Sequence, residues 1–391
     1  MAGIVIKPRA RIFHGHEWVY ASEIKKSFGN PSPGDVISLK DYKDRPLGSA
    51  IYNPHSQIVA RRFSRRKQQL DTDFFTRRIQ RSLEWRQATA NISTDLCRIL
   101  WSESDGLPGV VIDRYGDHVV LQTLTLAMDQ RADSIAAAIQ EVLSPECIVL
   151  RNDNPVRNAE GLSPDIRVIT GTDPVPRNFM LGNISLGVDL IGGQKTGLYL
   201  DQLDNYPLVA QYAGGRRVLD CFTNQGGFAL HAAAGHAESV IGVDSSHTAI
   251  AAAQSNAKES GLGNVTWLEA NVFDDLKARE SRNERFGLII LDPPSFTRNK
   301  RSLTDALRGY KEIHLRALKM LDPGGVLVTF TCSHHVRRRI FLEMVRDAAV
   351  DAKRTLRQVD AYRQRTDHPI NPSIPETEYL HGFAFEVIPA W

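Results

Sequence analysis

A strand, a glycine turn and an Ala-rich helix follow one another in RRVLDCFTNQGGFALHAAAG, and this order constrains the fold more than any other feature of the chain. Val218 and Leu219 form a short apolar strand that ends at Asp220. The helix begins after Gly226 and Gly227, where glycine lets backbone N–H groups approach a ligand closely. Strands and helices alternate regularly from about residue 185 onward, which predicts an α/β fold with a parallel sheet.

Acidic and amide side chains stand at the ends of the strands that follow. The stretch SVIGVDSS ends at Asp244, at the spacing where an acidic residue meets ribose hydroxyls in nucleoside-binding βαβ units. A third strand ends before Asn271, and a fourth ends at Asp292, before a rigid Pro-Pro turn. The glycine turn does not match the G-x-G-x-x-G pattern, so the sequence predicts an adenosine-type ligand rather than a dinucleotide. The alternative is a structural glycine turn beside an exposed aspartate.

The stretch GGVLVTFTCSHHV places Cys332 at the exit of a β-branched strand. Taken alone, a cysteine there is more often a small buried apolar residue than a nucleophile. The four cysteines are widely spaced, which predicts a reducing compartment, no disulfide framework and no metal site. With no signal segment and no long apolar stretch, we predict a cytoplasmic protein without a membrane anchor.

Positive charge is concentrated near the N-terminus. Residues 1–90 hold 17 Lys and Arg against 8 Asp and Glu, whereas residues 91–391 hold 31 against 37. The densest cluster, ARRFSRRKQQ, fits either a solvated face or a binder of nucleic-acid phosphates. The predicted RNA contacts are Arg61, Arg62, Arg65, Arg66 and Lys67.

Turn clusters divide the chain into three predicted domains. Short apolar runs alternate with turns from residue 3 to residue 67, which predicts a small β-barrel. The segment DTDFFTRRIQRSLEWRQA has an aspartate cap and helical spacing, and it opens a middle domain that contains the hairpin GVVIDRYGDHVVLQTLT. A tract rich in Gly, Pro and Asp precedes the alternating region. The predicted boundaries are 1–68, 69–184 and 185–391.

The alternating region resembles class I S-adenosylmethionine-dependent methyltransferases, with LDCFTNQGG as the cofactor loop. The resemblance implies a Rossmann-like sheet and S-adenosyl-L-methionine as the cofactor. It implies that Asp244 meets the ribose and that Asn271, where aspartate is more usual, meets the adenine edge. The loop residues implied to contact the cofactor are Asp220, Phe222, Asn224 and Gly226.

Further blocks extend a resemblance to the bacterial family of 23S ribosomal RNA cytosine-5 methyltransferases over nearly the whole chain. The blocks are HGHEWVYASEI, SESDGLPGVVIDRYG, GGQKTGLYLDQLDN, LDPPSF, FTCS and TDHPINPSIPETEYLHGF. The resemblance implies a PUA-like RNA-binding domain over 1–68, a middle α+β domain over 69–184 and the methyltransferase domain over 185–391. It places four residues at the methionine end of the cofactor: Gln194, Tyr199, Asp201 and Gln202.

The same resemblance implies catalytic roles for Cys332 and Asp292 on neighbouring strand ends. A thiolate added to C6 of cytosine makes C5 able to take a methyl group, and Asp292 would hold the N3/N4 edge of the base. Three alternatives remain: a uracil-C5 enzyme, a base-nitrogen methyltransferase that needs no Cys332, and a non-catalytic RNA-binding assembly factor. The sequence leaves open the modified nucleotide and the oligomeric state, a homodimer included.

Overall fold

The computed structural model of the chain describes residues 2–89, 92–172, 174–193, 195–297, 302–333 and 335–388. The chain forms two compact units, and each of them combines separate segments of the sequence. The division into three domains at 1–68, 69–184 and 185–391 stays a prediction. The first unit contains Met1–Pro176, Asp189–Leu200 and Thr366–Thr377, and the second contains Arg177–Val188, Asp201–Arg365 and Glu378–Trp391.

The N-terminal part of the first unit is a six-stranded sheet. Alternate residues of its fourth strand are buried, because Ile37 and Leu39 face an apolar core that includes Ile4 and Val59. The period of two in the sequence therefore marks the buried face of this barrel-like sheet. The strands are β1 (Gly3–Ile6), β2 (Trp18–Tyr20), β3 (Ile24–Phe28), β4 (Val36–Lys40), β5 (Pro46–Tyr52) and β6 (Ile58–Ser64), in the order β2-β6-β5-β4-β1-β3.

A five-stranded sheet with three helices completes the first unit. The helix that begins at Thr72 is capped by Asp71, whose carboxylate accepts from the N–H of Phe74, and the predicted hairpin is confirmed as β8 and β9. The strands, in the order β11-β10-β9-β8-β7, are β7 (Leu96–Trp101), β8 (Val110–Tyr115), β9 (His118–Thr123), β10 (Cys147–Asn152) and β11 (Asp165–Thr170). The helices are α1 (Thr72–Ala88), α2 (Leu126–Asp129) and α3 (Ala132–Leu143).

The two sheets of the first unit share apolar packing. Phe63 of β6 and Ile51 of β5 belong to the same buried cluster as Phe75 and Ile79 of α1. The ring of Phe63 lies 5.4 Å from the ring of Phe74, in an edge-on arrangement. The N-terminal sheet is therefore held against α1 by an apolar contact, which fixes the basic end of β6 beside this helix.

The second unit is built on a seven-stranded sheet, and its core lies between the sheet and the flanking helices. The strands are β14 (Arg217–Cys221), β15 (Ser239–Asp244), β16 (Val265–Glu269), β17 (Phe286–Leu291), β18 (Leu321–Thr331), β19 (Thr355–Arg363) and β20 (His381–Ile388). The helices are α4 (Asn205–Ala210), α5 (Gly227–Ala234), α6 (His247–Glu259), α7 (Val272–Ser281), α8 (Leu303–Met320) and α9 (Arg338–Asp351). A separate hairpin consists of β12 (Arg177–Leu181) and β13 (Ile184–Val188).

The strand order β16-β15-β14-β17-β18-β20-β19 determines where a ligand can bind. The five strands from β16 to β18 are parallel, and β20 is antiparallel to both of its neighbours. The order reverses between β14 and β17, and open α/β sheets bind their ligands at the carboxyl ends of the strands beside such a point. In the described part of the chain, no helix has the length and apolar content needed to span a membrane.

Candidate active site

The loop after β14 has an unusual backbone. Phe222 and Asn224 have φ values of 63° and 50°, in the left-handed region that L-residues seldom adopt, and Gly226 has a φ of 86°. A Cβ atom on Gly226 would also lie 2.6 Å from the ring of Trp267. Glycine is therefore required at this turn for both its conformation and its size, and α5 begins directly after it.

Asp244 holds this loop at the end of β15. Its Oδ2 accepts from the backbone N–H of Asn224 at 2.9 Å, and its Oδ1 accepts from the N–H of Ser246 at 2.9 Å. The carboxylate thus stands beside the loop, in the place that the strand-end spacing predicted. Because each carboxylate oxygen has a second lone pair, both can still accept from a ligand.

Asp220 is fully buried at the base of the same loop. Its Oδ2 accepts from the Thr223 hydroxyl at 2.6 Å and from the N–H of Ala229 at 3.0 Å, whereas its Oδ1 has no hydrogen-bond partner among the described residues. Burial raises the pKa of Asp220 to about 7; the two hydrogen bonds oppose this, and the charges of Asp292 and Asp244 add to it. Three carboxylates thus lie near one another at this sheet edge, which favours a ligand that carries positive charge or donates hydrogen bonds.

The raised pKa of Asp220 predicts a pH-dependent stability. The folded pKa of about 7 exceeds the ordinary value of 3.8, so the stabilisation is complete below pH 3.8 and is lost as the pH rises towards 7. Relative to Asp220→Asn, which can accept the same two hydrogen bonds, the wild type should lose up to about 4 kcal/mol of unfolding free energy over that range. Urea unfolding of both proteins at several pH values measures the difference. If the unfolding free energies of the two proteins changed with pH in parallel, Asp220 would not have a raised pKa in the folded state.

Asn271 follows β16 by two residues and caps α7. Its side-chain oxygen accepts from the N–H of Phe273 at 2.9 Å and from the N–H of Asp274 at 3.4 Å. The residue is exposed. The cap engages the oxygen, so the amide nitrogen is the atom through which Asn271 would meet a ligand.

Asp292 and Cys332 follow two adjacent parallel strands. Leu291, the last residue of β17, pairs with Thr329 of β18, and β18 ends two residues later at Thr331, so Asp292 and Cys332 both emerge at the same sheet edge. Cys332 is partly exposed, whereas the other cysteines, Cys97, Cys147 and Cys221, are buried. Burial raises the pKa of Cys221 well above its ordinary value, and the charge of Asp220 adds to this, so Cys221 is a poor nucleophile. Cys332 is the accessible thiol of the chain.

A chain of side-chain amides orients Asp292. The Nε2 of Gln202 donates to Oδ2 of Asp292 at 3.0 Å, and the Oε1 of Gln202 accepts from Nδ2 of Asn205 at 2.6 Å. Asn205 also donates to the carbonyl of Arg363 at 3.1 Å. Gln202, assigned from the sequence to the cofactor, is placed by the structure on the carboxylate of Asp292. Sequence reasoning missed Asn205 completely.

Two aromatic residues at the site were also missed from the sequence. The Tyr310 ring of α8 lies 4.6 Å from the ring of Phe296, and its hydroxyl accepts from Thr331 at 3.3 Å. Burial raises the pKa of Tyr310 to about 12, and the charges of Cys332 and Asp292 contribute to the rise. Tyr310 thus lies close to both candidate catalytic residues. In the sequence it is one member of the apolar stripe of α8, and only the DPPSF motif could have pointed to Phe296.

The remaining predicted cofactor residues are dispersed. Asp201 is buried in the second unit, where its Oδ2 accepts from the Tyr379 hydroxyl at 2.8 Å. Tyr199 belongs to the first unit, and its ring centroid lies 4.0 Å from the Lys195 ammonium. Gln194 lies outside the described residues. Roles of these three residues at the cofactor stay predictions.

The predicted RNA contacts fall into two groups. Arg61 forms ion pairs with Glu103 at 2.8 Å and with Glu160 at 3.7 Å, and the buried Arg62 pairs with Glu17. These two arginines are neutralised inside the first unit and offer little charge to a ligand, which argues against their predicted role. The remaining three residues, Arg65, Arg66 and Lys67, are exposed.

The doubly wound sheet, the glycine loop and the strand-end carboxylates together define a class I S-adenosylmethionine-dependent methyltransferase. A family model described as S-adenosylmethionine-dependent methyltransferase matches residues 171–369, and one described as a PUA-like domain matches residues 4–65. The cofactor is S-adenosylmethionine, and the residues fit it, because a buried oxygen of Asp220 with no hydrogen-bond partner in the described part of the chain and the carboxylates beside it suit a cationic nucleoside.

The chain belongs to the family of proteins called ribosomal RNA large subunit methyltransferase I. It is 39% identical to the protein of that name from Erwinia tasmaniensis, over 98% of this chain and 99% of the relative. It is 37% identical to the one from Vibrio cholerae, over 95% of this chain and 96% of the relative. A methyltransferase solved with S-adenosylhomocysteine shares the fold, with a TM-score of 0.86 at 23% identity over 99% of this chain and 100% of the other.

Proposed function

We propose that this chain methylates C5 of a cytosine in large-subunit (23S) ribosomal RNA through a covalent adduct between a thiolate and C6. The names of its relatives support ribosomal RNA as the substrate. The observation that carries the C5 chemistry is the partly exposed Cys332 at the end of β18, beside the end of β17 that bears Asp292. Methyl transfer to a ring nitrogen would not need a thiol, since the nitrogen lone pair is itself the nucleophile.

The covalent step converts a weak nucleophile into a strong one. The Cys332 thiolate forms a bond to C6, and the electrons of the C5=C6 bond make C5 an enamine carbon. When bound, S-adenosylmethionine would supply the electrophilic methyl group and leave as the neutral thioether S-adenosylhomocysteine. C5 then loses its proton to a base, and the C6–S bond breaks to restore the aromatic ring and the thiolate. Atoms and charge balance, because the proton from C5 leaves as the methyl group takes its place.

Asp292 is assigned to recognition of the target cytosine. Its carboxyl group would hydrogen-bond the N3/N4 edge of the cytosine when either the carboxyl or N3 carries a proton, which stabilises the adduct. Gln202 donates to Oδ2 of Asp292 and would fix the direction of this contact. Gln202 therefore acts as a positioning residue in this proposal.

The proposed cofactor contacts are made by residues at the carboxyl ends of the parallel strands. Asp244 would accept from the ribose hydroxyls, and the amide nitrogen of Asn271 would donate to the adenine ring. Asp220 would face the positively charged methionine portion through Oδ1, which has no partner among the residues that the structure describes. The backbone of Phe222, Asn224 and Gly226 shapes the loop around these contacts.

Nucleoside analysis of ribosomal RNA tests the proposal. Digests from a deletion strain should lack one 5-methylcytidine of the large subunit that mass spectrometry finds in the parent, and a plasmid copy of the gene should restore it. Loss of a 5-methyluridine would move the substrate to uracil and leave the thiolate chemistry in place. Loss of an N-methylated base would contradict a role for Cys332, and an unchanged set of modifications would leave a non-catalytic RNA-binding factor.

A further inference from the structure

A basic groove lies wholly within the first unit, between the end of β6 and the exposed face of α1. Its volume is about 1110 Å³. Three of its arginines come from the end of β6 and the segment after it, and three come from α1. The six arginines are Arg62, Arg65, Arg66, Arg77, Arg78 and Arg81.

The groove keeps a positive charge after its carboxylates are accounted for. Glu17 pairs with Arg62 and Arg65, while Glu103 and Asp105 pair with arginines outside the lining, Arg61 and Arg86. Glu84, the fourth lining carboxylate, accepts from the side chain of Gln80. Arg77 also pairs with Asp73, and Arg61 also pairs with Glu160, so the six lining arginines together with Arg61 and Arg86 face six carboxylates. A net positive charge remains, and it lies mainly on the residues after β6 and on α1, which favours a long polyanion as the ligand.

Arg78 shows that the positive charge is crowded. Its guanidinium lies 5.0 Å from the ring centroid of Phe74 and donates to the carbonyl of Phe63 at 3.4 Å. Burial lowers the pKa of Arg78 below its ordinary value, and the like charges of Arg81 and Arg77 add to the effect. A bound phosphate would relieve this repulsion. Among the residues that the structure describes, Arg77 pairs with Asp73 alone, one turn earlier on the same exposed helix face, a kind of contact that a phosphate can replace.

An aromatic side chain continues the row formed by Arg77 and Arg81 on α1. Arg77, Arg81 and Trp85 are spaced four residues apart, so they lie on one face of the helix over about 12 Å. Trp85 lines the groove, is 43% exposed, and packs against the guanidinium of Arg86 at 5.2 Å. Arg86 is itself buried and makes a bidentate pair with Asp105 at 2.9 and 2.8 Å. An exposed indole on a rigid support beside a row of cations is a stacking platform for a nucleobase.

We propose that a single-stranded segment of the substrate RNA lies in this groove, with its phosphates against Arg77, Arg78 and Arg81 and a base stacked on Trp85. The inference rests on the proposed function for the kind of nucleic acid. It extends the RNA-binding surface beyond the PUA-like domain onto α1, which neither the RNA contacts predicted from the sequence nor the family models include. A stripe of about 12 Å accommodates about three stacked nucleotides at about 3.4 Å each.

Binding of a fluorescein-labelled single-stranded RNA, followed by anisotropy at a series of KCl concentrations, tests the groove. The double variant Arg77→Gln/Arg81→Gln should bind roughly tenfold more weakly and reduce the slope of log affinity against log salt by about 1.4, the loss of two phosphate contacts. Trp85→Ala should weaken binding roughly 5- to 100-fold with an unchanged slope, and Trp85→Phe should recover most of the loss, because stacking does not release counterions.

The matched control is Arg167→Gln/Arg177→Gln, which removes the same charge from exposed positions outside the groove. The proposal would be overturned if this control and Arg77→Gln/Arg81→Gln bound RNA with the same affinity and the same dependence of log affinity on log salt, with unchanged thermal unfolding. That result is the one expected if the groove binds an acidic protein instead of RNA. Methylation of saturating RNA by the wild type is measured separately. Its absence would contradict the proposed function, while the binding data alone decide the groove.

Discussion

Replacing Cys332 with alanine should lower the rate of methyl transfer to RNA by more than roughly 1000-fold, because C5 of cytosine is unreactive without the bond to C6. Binding of S-adenosylmethionine, measured by calorimetry, should not change, since Cys332 follows β18 and the loop that would hold the cofactor follows β14. The side chain is partly exposed, so its removal should cost little stability.

RNA that carries 5-fluorocytosine tests the same prediction, because it should trap the enzyme as a covalent complex with the RNA. Fluorine cannot leave C5 as a cation, so the methylated base should stay attached to the enzyme through denaturing gel electrophoresis. Formation of the complex should require S-adenosylmethionine, and the attached peptide should contain Cys332. Cys332→Ala should form no complex, whereas Cys221→Ala should form it, because Cys221 is buried and its thiol is hard to ionise. A complex mapped to Cys221, or full activity of Cys332→Ala, would refute the assignment.

Replacing Asp292 with asparagine should lower the maximal rate of methylation by roughly 100- to 1000-fold, the usual cost of losing one hydrogen-bonding group that stabilises a developing charge. Asparagine keeps the size of the side chain and can still accept from Gln202, so the fold should persist. Single-turnover kinetics with saturating RNA and cofactor measure the step directly. Formation of the 5-fluorocytosine complex should slow by the same factor.

The matched control for Asp292 is Asp305→Asn. This carboxylate is exposed on α8, and within the described ranges its ion pair is with Arg308 on the same helix, so its loss should leave the rate unchanged. A normal single-turnover rate in Asp292→Asn would remove Asp292 from the catalytic step. A change confined to cofactor affinity would instead assign it to the cofactor.

Local sequence patterns were enough to locate the parallel sheet and its polar edge. Short apolar runs that end in Asp220, Asp244 and Asp292 could be placed on strands, because the residues that form a strand and its exit are neighbours in the chain. The aspartate cap at Asp71 and the hairpin of β8 and β9 were predictable for the same reason. In each case a few adjacent residues decide the conformation.

Partners that lie far apart in the sequence could not be predicted. Arg61 and Arg62 stand in the most basic stretch of the chain, yet carboxylates 42 to 45 positions away neutralise them. Gln202 stands 90 positions before Asp292, and nothing around either residue indicates that one donates to the other. The basic groove likewise combines the end of β6 with α1. From the sequence alone, the three arginines that α1 contributes are indistinguishable from those of an ordinary solvated helix face.

The class of fold, the strand-end residues and the cysteine after β18 could thus be inferred from local sequence. Accessibility, charge neutralisation and side-chain orientation of these groups became known from the three-dimensional packing. Backbone conformation responds to neighbouring residues, whereas burial and side-chain pairing depend on contacts between distant segments. Cys221 and Cys332 illustrate the difference, because Cys221 ends one strand and Cys332 directly follows another, and only packing makes the first buried and the second accessible.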